Sequence, residues 1–172
     1  MSDHITNALE RTAEEMCLAA RTAPKARGLD FLEFAILKGD EIMKLSAKMK
    51  EIGEREDNNT FRRDSENIKK ASVLVLIGTK KQTIGLKYCS YCGFADCAAN
   101  EKAGAVCAYN TGDLGIAIGS AVAVAADRRV DNRVMYSVGR AAVDLKLMGK
   151  DVAIAYGIPL SATGKNPFFD RK

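Results

Sequence analysis

The chain has 172 residues, of which 47% are hydrophobic and 28% charged, and its formal net charge is +4 at pH 7. This balance excludes a disordered chain, and the length predicts one domain over residues 1–172 with a hydrophobic core of its own. The basic pairs at 62–63, 80–81 and 128–129 lie far apart, and acids accompany them in "RRDSE" and "DRRVD". Scattered charges of this kind favour a solvated surface, so we expect no nucleic-acid partner.

The sequence shows neither a targeting segment nor a membrane segment. The opening residues "MSDHITNALERTAEEM" are charged and lack the apolar region of a signal peptide. The weakly polar stretch 114–126 is too short to span a bilayer. We therefore predict a cytoplasmic protein, in which clustered cysteines more often bind metal or do redox work than form disulfides.

The first third of the chain predicts helix, strand and helix. One face of the first helix is apolar, and it consists of Ile5, Leu9, Ala13, Met16 and Ala20. Pro24 ends this helix, and Cys17 lies on the same apolar face, where we expect a core residue and not a metal ligand. "FLEFAIL" (31–37) predicts a strand, and the helix after it should end at Gly53.

The remaining elements continue the alternation of helices and strands. The polar stretch 54–67 should be an exposed connection with a short helix toward its end, and "SVLVLIG" (72–78) should be a buried strand. A helix is predicted from about Asp113 to Asp127, with small residues that permit close backbone packing, namely Gly115, Gly119 and Ala123. A further helix should start at an Asp131 cap and close at Gly149.

That last helix should turn one set of residues inward, namely Val134, Val138, Ala141, Leu145 and Met148. "DVAIAYGI" (151–158) predicts the final buried strand, and residues 159–172 form a tail with little regular structure. Because helices separate successive strands, the fold class should be α+β, with a helix-flanked sheet.

Four of the five cysteines lie within nineteen residues, in the segment 88–109 that separates the second strand from the next helix. Their spacing is C-x2-C-x4-C-x9-C, and the ligand candidates are Cys89, Cys92, Cys97 and Cys107. Four thiolates suit either tetrahedral zinc or an iron–sulfur cluster. The spacing has one C-x2-C pair where zinc sites commonly have two, which favours a 4Fe-4S cluster over zinc and over free or redox-active thiols.

Three further expectations concern the surroundings of the cysteines. The aromatic residues of the segment should shield the cluster from water. Residues 98–106 should fold back as a short helical turn that ends near Gly104 and brings Cys107 to the other three thiols. We assign no catalytic residue, because the single histidine, His4, lies at a terminus and builds neither a Ser-His-Asp nor a Cys-His arrangement.

The motifs "CSYCGFADC", "GDLGIAIGSAVAVAADRRVDNRVMYSVGRAA" and "GIPLSATGKNPFFDR" resemble an uncharacterised prokaryotic family of ferredoxin-domain-containing proteins. The resemblance covers nearly the whole chain. It implies an iron–sulfur cluster on these cysteines and no known reaction.

A second resemblance is to flavin-dependent nitroreductases, carried by "AARTAPKARGLDFLEFAIL", "DLGIAIGSAVAVAA" and "VAIAYGIPLSATGK". It implies a nitroreductase-like sandwich and a homodimer with FMN at its interface. Arg21, Lys25 and Lys165 would meet the FMN phosphate. The chain departs from the nitroreductase pattern in two ways: no "RRSxR" motif precedes its first helix, and the cysteine loop is inserted just before the "DLGIA" helix.

Together these features predict an iron–sulfur redox protein that passes electrons to a partner or a small substrate. Two alternatives stay open. One is a non-redox enzyme in which a cluster bound by three cysteines leaves one iron free as a Lewis acid. The other is a binding module in which zinc only stabilises the structure.

Overall fold

A four-stranded antiparallel sheet organises the chain, of which the computed structural model describes residues 3–169. The strands are β1 Leu32–Lys38, β2 Val73–Lys80, β3 Asp131–Asn132 and β4 Val152–Ser161, in the order β1-β2-β4-β3. The three strands predicted from the sequence therefore lie in one sheet, and β3 adds a short edge that the sequence pattern did not indicate.

Strand β2 lies at the centre because its apolar run suits burial on both faces of a sheet. Residues 73–77 are all completely buried. Val75 pairs with Ile36 of β1 on one side and with Ile158 of β4 on the other. The sheet is thus held by a strand that has no solvent-facing side over these five residues.

The described residues form six α-helices, five of which cover the two faces of the sheet. They are α1 Asp3–Thr22, α2 Asp40–Arg55, α3 Asn59–Ile68, α4 Cys97–Lys102, α5 Ala108–Asp127 and α6 Tyr136–Asp144. Helices α1 and α5 pack on one face against Val73, Val75 and Ile77. Helices α2, α3 and α6 pack on the other face against Leu74 and Leu76. This arrangement confirms the predicted α+β sandwich, and no described helix has the length and apolarity needed to cross a membrane.

Gly53 does not end helix α2, as the sequence pattern suggested, because the helix continues to Arg55. Its role is close packing, since a Cβ at Gly53 would lie 2.9 Å from the backbone nitrogen of Arg62 in α3. Helix α3 is also less exposed than expected, with Phe61 and Ile68 buried in the core. The polar stretch therefore contains an integral helix of the second layer.

A buried carboxylate joins α3 to α6. Asp64 accepts hydrogen bonds from the Ser137 hydroxyl at 2.6 Å and from the Arg63 guanidinium at 2.9 Å. Arg133 lies 4.0 Å from the same carboxylate and donates to the carbonyl oxygen of Phe168. Pairing of this kind offsets the cost of burying a charge, and it explains why an acidic residue of the "RRDSE" stretch is found in the interior.

The helix predicted from Asp131 to Gly149 is shorter in the structure. Asp131 lies in β3, where it pairs with Ser161, and Met135 bridges to Gly157. These two contacts hold residues 131–135 extended, so that α6 begins only at Tyr136. Of the residues expected to point inward, Val138 and Ala141 are buried, Met148 is partly buried, and Val134 and Leu145 are exposed.

The segment after β4 packs against the protein, although the sequence predicted a tail with little regular structure. Phe168 is completely buried in the core formed by α2, α3 and α6. The Asn166 amide donates to Asp131, and its oxygen accepts the backbone N–H of Phe168. The segment to residue 169 therefore covers the second layer, and residues 170–172 of the predicted tail lie outside the described residues.

Helix α5 is longer at its start than predicted and more open along one side. It begins at Ala108, with Cys107 as its N-cap. A Cβ at Gly115 or Gly119 would meet no atom within 4 Å, and Ala123 is exposed. Among residues 3–169, the close packing that we expected at these small residues is therefore absent.

A close approach between helix α6 and strand β4 gives a first testable prediction. A Cβ at Gly139 of α6 would lie 1.8 Å from the carbonyl oxygen of Ala155 in β4. Gly139→Ala should therefore lower the free energy of unfolding by more than about 2 kcal/mol, because backbone must move. The matched control is Gly112→Ala on helix α5, where a Cβ meets nothing within 4 Å. The control should be neutral or stabilising by up to about 1 kcal/mol. Urea denaturation measures both, and equal stabilities of the two variants would contradict the described packing.

Candidate metal centre

The four clustered cysteines line one pocket at the end of the sheet. Cys89, Cys92, Cys97 and Cys107 all contribute to its wall, together with Phe94, Asn100 and Tyr109. The pocket is partly open to solvent, and its cavity volume is about 30 Å³. All five cysteines of the chain are unpaired.

The first two cysteines belong to the irregular segment that follows β2. Gly93 has φ +82°, a left-handed conformation that favours glycine, and its N–H donates to the Ser90 carbonyl at 3.0 Å. The resulting turn folds residues 89–93 back on themselves and allows Cys89 and Cys92 to reach the same pocket.

The third and fourth cysteines lie at the N-terminal ends of two helices. Cys97 is the first residue of α4, whose N-cap Asp96 accepts the Ala99 N–H at 2.8 Å. Gly104, with φ +62°, ends the turn, and Cys107 caps α5. The predicted fold-back of residues 98–106 is therefore present, and it places Cys107 in the pocket with the other three thiols.

Asn100 holds this fold-back together and was missed by the sequence analysis. Its side-chain amide donates to the Val106 carbonyl at 3.2 Å, and its backbone carbonyl accepts the Ala105 N–H at 3.0 Å. Asn100 is almost completely buried, and its side-chain oxygen has no partner within the described residues. Two hydrogen bonds from one residue thus fix the chain immediately before Cys107.

A second buried asparagine fixes the start of α5. The side-chain oxygen of Asn110 accepts the backbone N–H of Gln82 at 3.1 Å, which ties the first turn of α5 to the segment that leaves β2. In the sequence, each asparagine is marked only by lying three residues after a clustered cysteine, Asn100 after Cys97 and Asn110 after Cys107. Asparagine is usually an exposed residue, so this position did not indicate burial.

The aromatic residues shield the pocket only in part. Tyr109 lines it, and burial raises the pKa of the Tyr109 hydroxyl, with smaller contributions from Cys89, Tyr91 and Cys107. Phe94 is half-buried in the wall, whereas Tyr88 and Tyr91 are exposed to solvent. The expectation that all these rings cover the site is therefore wrong for two of the four.

Cys17 lies elsewhere, on helix α1, where it packs against the first core. Burial raises the pKa of the Cys17 thiol to about 11, and the nearby Arg21 offsets part of that rise. A thiol in this environment stays protonated, whereas metal binding requires the thiolate.

The three basic residues predicted to meet a flavin phosphate lie apart from the cysteine pocket. Arg21 pairs with Asp30 at 2.6 Å and stacks over the ring of Phe34. The Lys25 ammonium donates to three backbone carbonyls at the end of α1. Lys165 lies in the turn after β4, and its carbonyl accepts the Thr163 hydroxyl. Arg21 and Lys25 therefore contact protein groups where a phosphate was expected.

Asp113 connects this basic loop to the helix that carries Cys107. Both of its carboxylate oxygens lie 3.1 Å from the Ala26 N–H, and the residue is buried. The neighbouring Arg27 donates to the carbonyl of Ile84 at 2.9 Å, at the entry to the cysteine segment. The loop after α1 thus braces both sides of the pocket.

The four thiols line one pocket, but they do not form a preformed site for a single metal ion. Within residues 3–169, no three His, Cys, Asp or Glu side chains lie close enough to bind one metal ion. In a structural zinc site four ligands bind one ion, with Zn–S bonds of about 2.3 Å, whereas in a cubane cluster each thiolate binds a different iron. Four cysteine thiolates supply the donor chemistry of both kinds of site.

Solved structures with the same architecture define the fold class. A nitroreductase with bound FMN from Desulfitobacterium hafniense superposes with a TM-score of 0.61 at 16% identity, over 96% of this chain and 80% of that one. The nitroreductase CinD from Lactococcus lactis, in complex with nicotinic acid, gives 0.62 at 14% identity, over 94% and 84% of the chains. At such identities the similarity shows the nitroreductase fold alone.

The family follows from the sequence. The chain is 44% identical over 165 residues to an uncharacterized protein of Archaeoglobus fulgidus, and the match covers 91% of this chain and 88% of that protein. Residues 103–171 match the family described as "Uncharacterized protein containing a ferredoxin domain (DUF2148)". The chain belongs to this family. Of the four clustered cysteines, the matched range includes Cys107 and not the other three.

The Asp113 brace gives a prediction on pH dependence. Burial raises the pKa of this carboxyl above 3.8, and the Ala26 N–H and Lys25 offset part of that rise. A raised folded-state pKa means that the stabilising contribution is complete below the unfolded pKa and is lost as the pH rises through the folded pKa. Asp113→Asn stays neutral and keeps an acceptor for Ala26. The stability of the natural chain relative to this variant should therefore fall between about pH 3 and pH 6. Urea unfolding at both pH values measures the two free energies of unfolding. A natural chain that gains stability relative to Asp113→Asn as the pH rises would contradict the prediction.

Proposed function

We propose that the protein is an iron–sulfur redox protein that passes electrons to a partner or a small substrate. The observation that carries the proposal is that all four cysteines of the C-x2-C-x4-C-x9-C segment line one pocket. When bound, a 4Fe-4S cluster supplies one-electron chemistry. The ferredoxin-domain family and the nitroreductase fold support a redox role. Because its thiols must stay reduced to bind iron, we place the protein in the cytoplasm.

The roles of the chain's own residues follow from their contacts. Cys89, Cys92, Cys97 and Cys107 would be the ligands, and Asn100 and Asn110 would hold Cys107 in position. Coordination by four thiolates leaves no iron position for substrate, which favours electron transfer over Lewis-acid catalysis.

Anaerobic purification with assays for iron, sulfide, zinc and flavin tests the proposal. We expect brown protein with about four irons per chain.

Cys107→Ala should lower the iron content and open one iron to added ligands. The matched control is Cys17→Ala, which should leave iron unchanged and cost at most about 1–2 kcal/mol of stability.

Other outcomes of the same assays select the alternatives. Colourless anaerobic protein with stoichiometric zinc would replace the redox proposal with the zinc-stabilised binding module. A Cys107→Ala variant with a full cluster and unchanged spectrum would show coordination by three cysteines, and would favour the Lewis-acid enzyme. Because Arg21 and Lys25 are engaged with protein groups, we expect no stoichiometric FMN at a phosphate site built from these residues.

We further propose that the protein is a homodimer that buries the open side of α5. This helix is apolar nearly all round, a pattern typical of a helix covered on all sides, yet Gly115, Ile116 and Gly119 are exposed.

Ile116→Glu should shift the protein toward monomer, because it places a charge in the interface. Met43→Glu on α2 is the control, since Met43 is 49% exposed and Ile116 is 48% exposed. Sedimentation at low concentration measures the oligomeric state, and a monomeric natural chain would contradict the dimer.

A further inference from the structure

Two aromatic side chains project from the protein beside the cysteine pocket. Tyr88 is fully exposed and Tyr91 is 74% exposed, although each adjoins or lies between cysteines of the segment. Neither of them lines the pocket. Among the described residues, neither ring belongs to either of the two cores.

The ring of Tyr91 is connected to the pocket through Tyr109. The two rings stack with centroids 6.0 Å apart and an interplanar angle of 16°. Tyr109 in turn lines the pocket with Cys89 and Cys107. The stack therefore joins the outer surface to the pocket wall and orients the exposed ring of Tyr91.

The shape of this surface favours a protein over a small molecule. Small ligands bind in concave sites that bury most of their surface, whereas Tyr88 and Tyr91 project outward. Tyrosine is enriched at protein interfaces, where its ring supplies contact area and its hydroxyl tolerates water.

The charge around these rings identifies the kind of protein. Four basic residues lie between β2 and α5 or contact that stretch, namely Lys81, Lys87, Lys102 and Arg27, against the two acids Asp96 and Glu101. Hydrogen bonds hold members of both sets: Asp96 caps a helix and Glu101 accepts from Thr83, while Lys81 and Arg27 donate to backbone carbonyls. The surface is therefore net positive and complements an acidic partner.

We propose that Lys87, Tyr88 and Tyr91 form the docking surface for a small acidic electron-carrier protein. This inference rests on the proposed function, since it assigns the partner of the same metal centre. The four thiolates would hold the group that accepts one electron from the reduced carrier. The carrier is oxidised by one electron, and no bond or proton is transferred.

Binding to a bacterial flavodoxin, a small acidic electron carrier, tests the proposal under anaerobic conditions by surface plasmon resonance. We expect binding in about 20 mM NaCl that weakens steeply by about 200 mM, because complementary charges are screened. Tyr91→Ala and Lys87→Glu should each weaken binding at least about fivefold. Tyr91→Phe keeps the stacked ring, and Lys44→Glu changes an exposed lysine of α2, which packs on the opposite face of the sheet from α5. Both variants should therefore bind within about twofold of the natural chain.

Iron and sulfide assays on every variant separate this inference from the proposed function. Protein without iron defeats the proposed function, while flavodoxin binding with the stated variant pattern would still support the surface. Iron-loaded protein that does not bind flavodoxin, or that binds it equally well in all variants, overturns the docking surface. If Tyr91→Ala loses iron, Tyr88→Ala replaces it, because the fully exposed Tyr88 ring lies outside the pocket.

Discussion

Burial of strand β2 on both faces is the constraint on which the rest of the structure depends. Residues 73–77 contact one core through Val73, Val75 and Ile77 and the other through Leu74 and Leu76. Each helix layer therefore packs against a sheet whose centre cannot shift register without exposing apolar side chains. Since β2 ends at Lys80, the chain leaves the sheet at a fixed point, and residues 81–87 lead from there to the cysteine segment.

Elements with strong local patterns could be predicted from the sequence. The apolar runs of β1, β2 and β4 and the periodicity of α1 and α2 led to nearly correct positions for five elements. The errors arose where contacts between distant residues decide the local structure. Residues 131–135 are extended because they pair with β4, and Gly53 is required by the approach of α3. Neither contact is visible in a short stretch of sequence.

The candidate site shows the same division. The meeting of the four cysteines at one pocket and the turn near Gly104 could be predicted, because the cysteine spacing and a glycine in a short stretch of sequence indicate them. The two buried asparagines could not, since an isolated asparagine normally indicates a surface turn. Their contacts also explain why α5 begins at Ala108: Asn110 bonds to Gln82, and Cys107 becomes the N-cap. The solvent exposure of Tyr88 and Tyr91 depends on which side of the loop faces the protein. Residue type alone does not indicate that side.

The cysteine segment contributes very little to the interior. Between residues 81 and 106 only Ile84 and Asn100 are buried, and neither belongs to the two cores on either side of the sheet. The scaffold and the cysteine insert are therefore packed independently, and they are joined at Lys80, at the first turn of α5 and through the Arg27 contact with Ile84. In protein engineering, the same independence makes residues 81–110 a graft for relatives of similar fold, provided that the Asn110 contact with the exit of β2 is transferred with it.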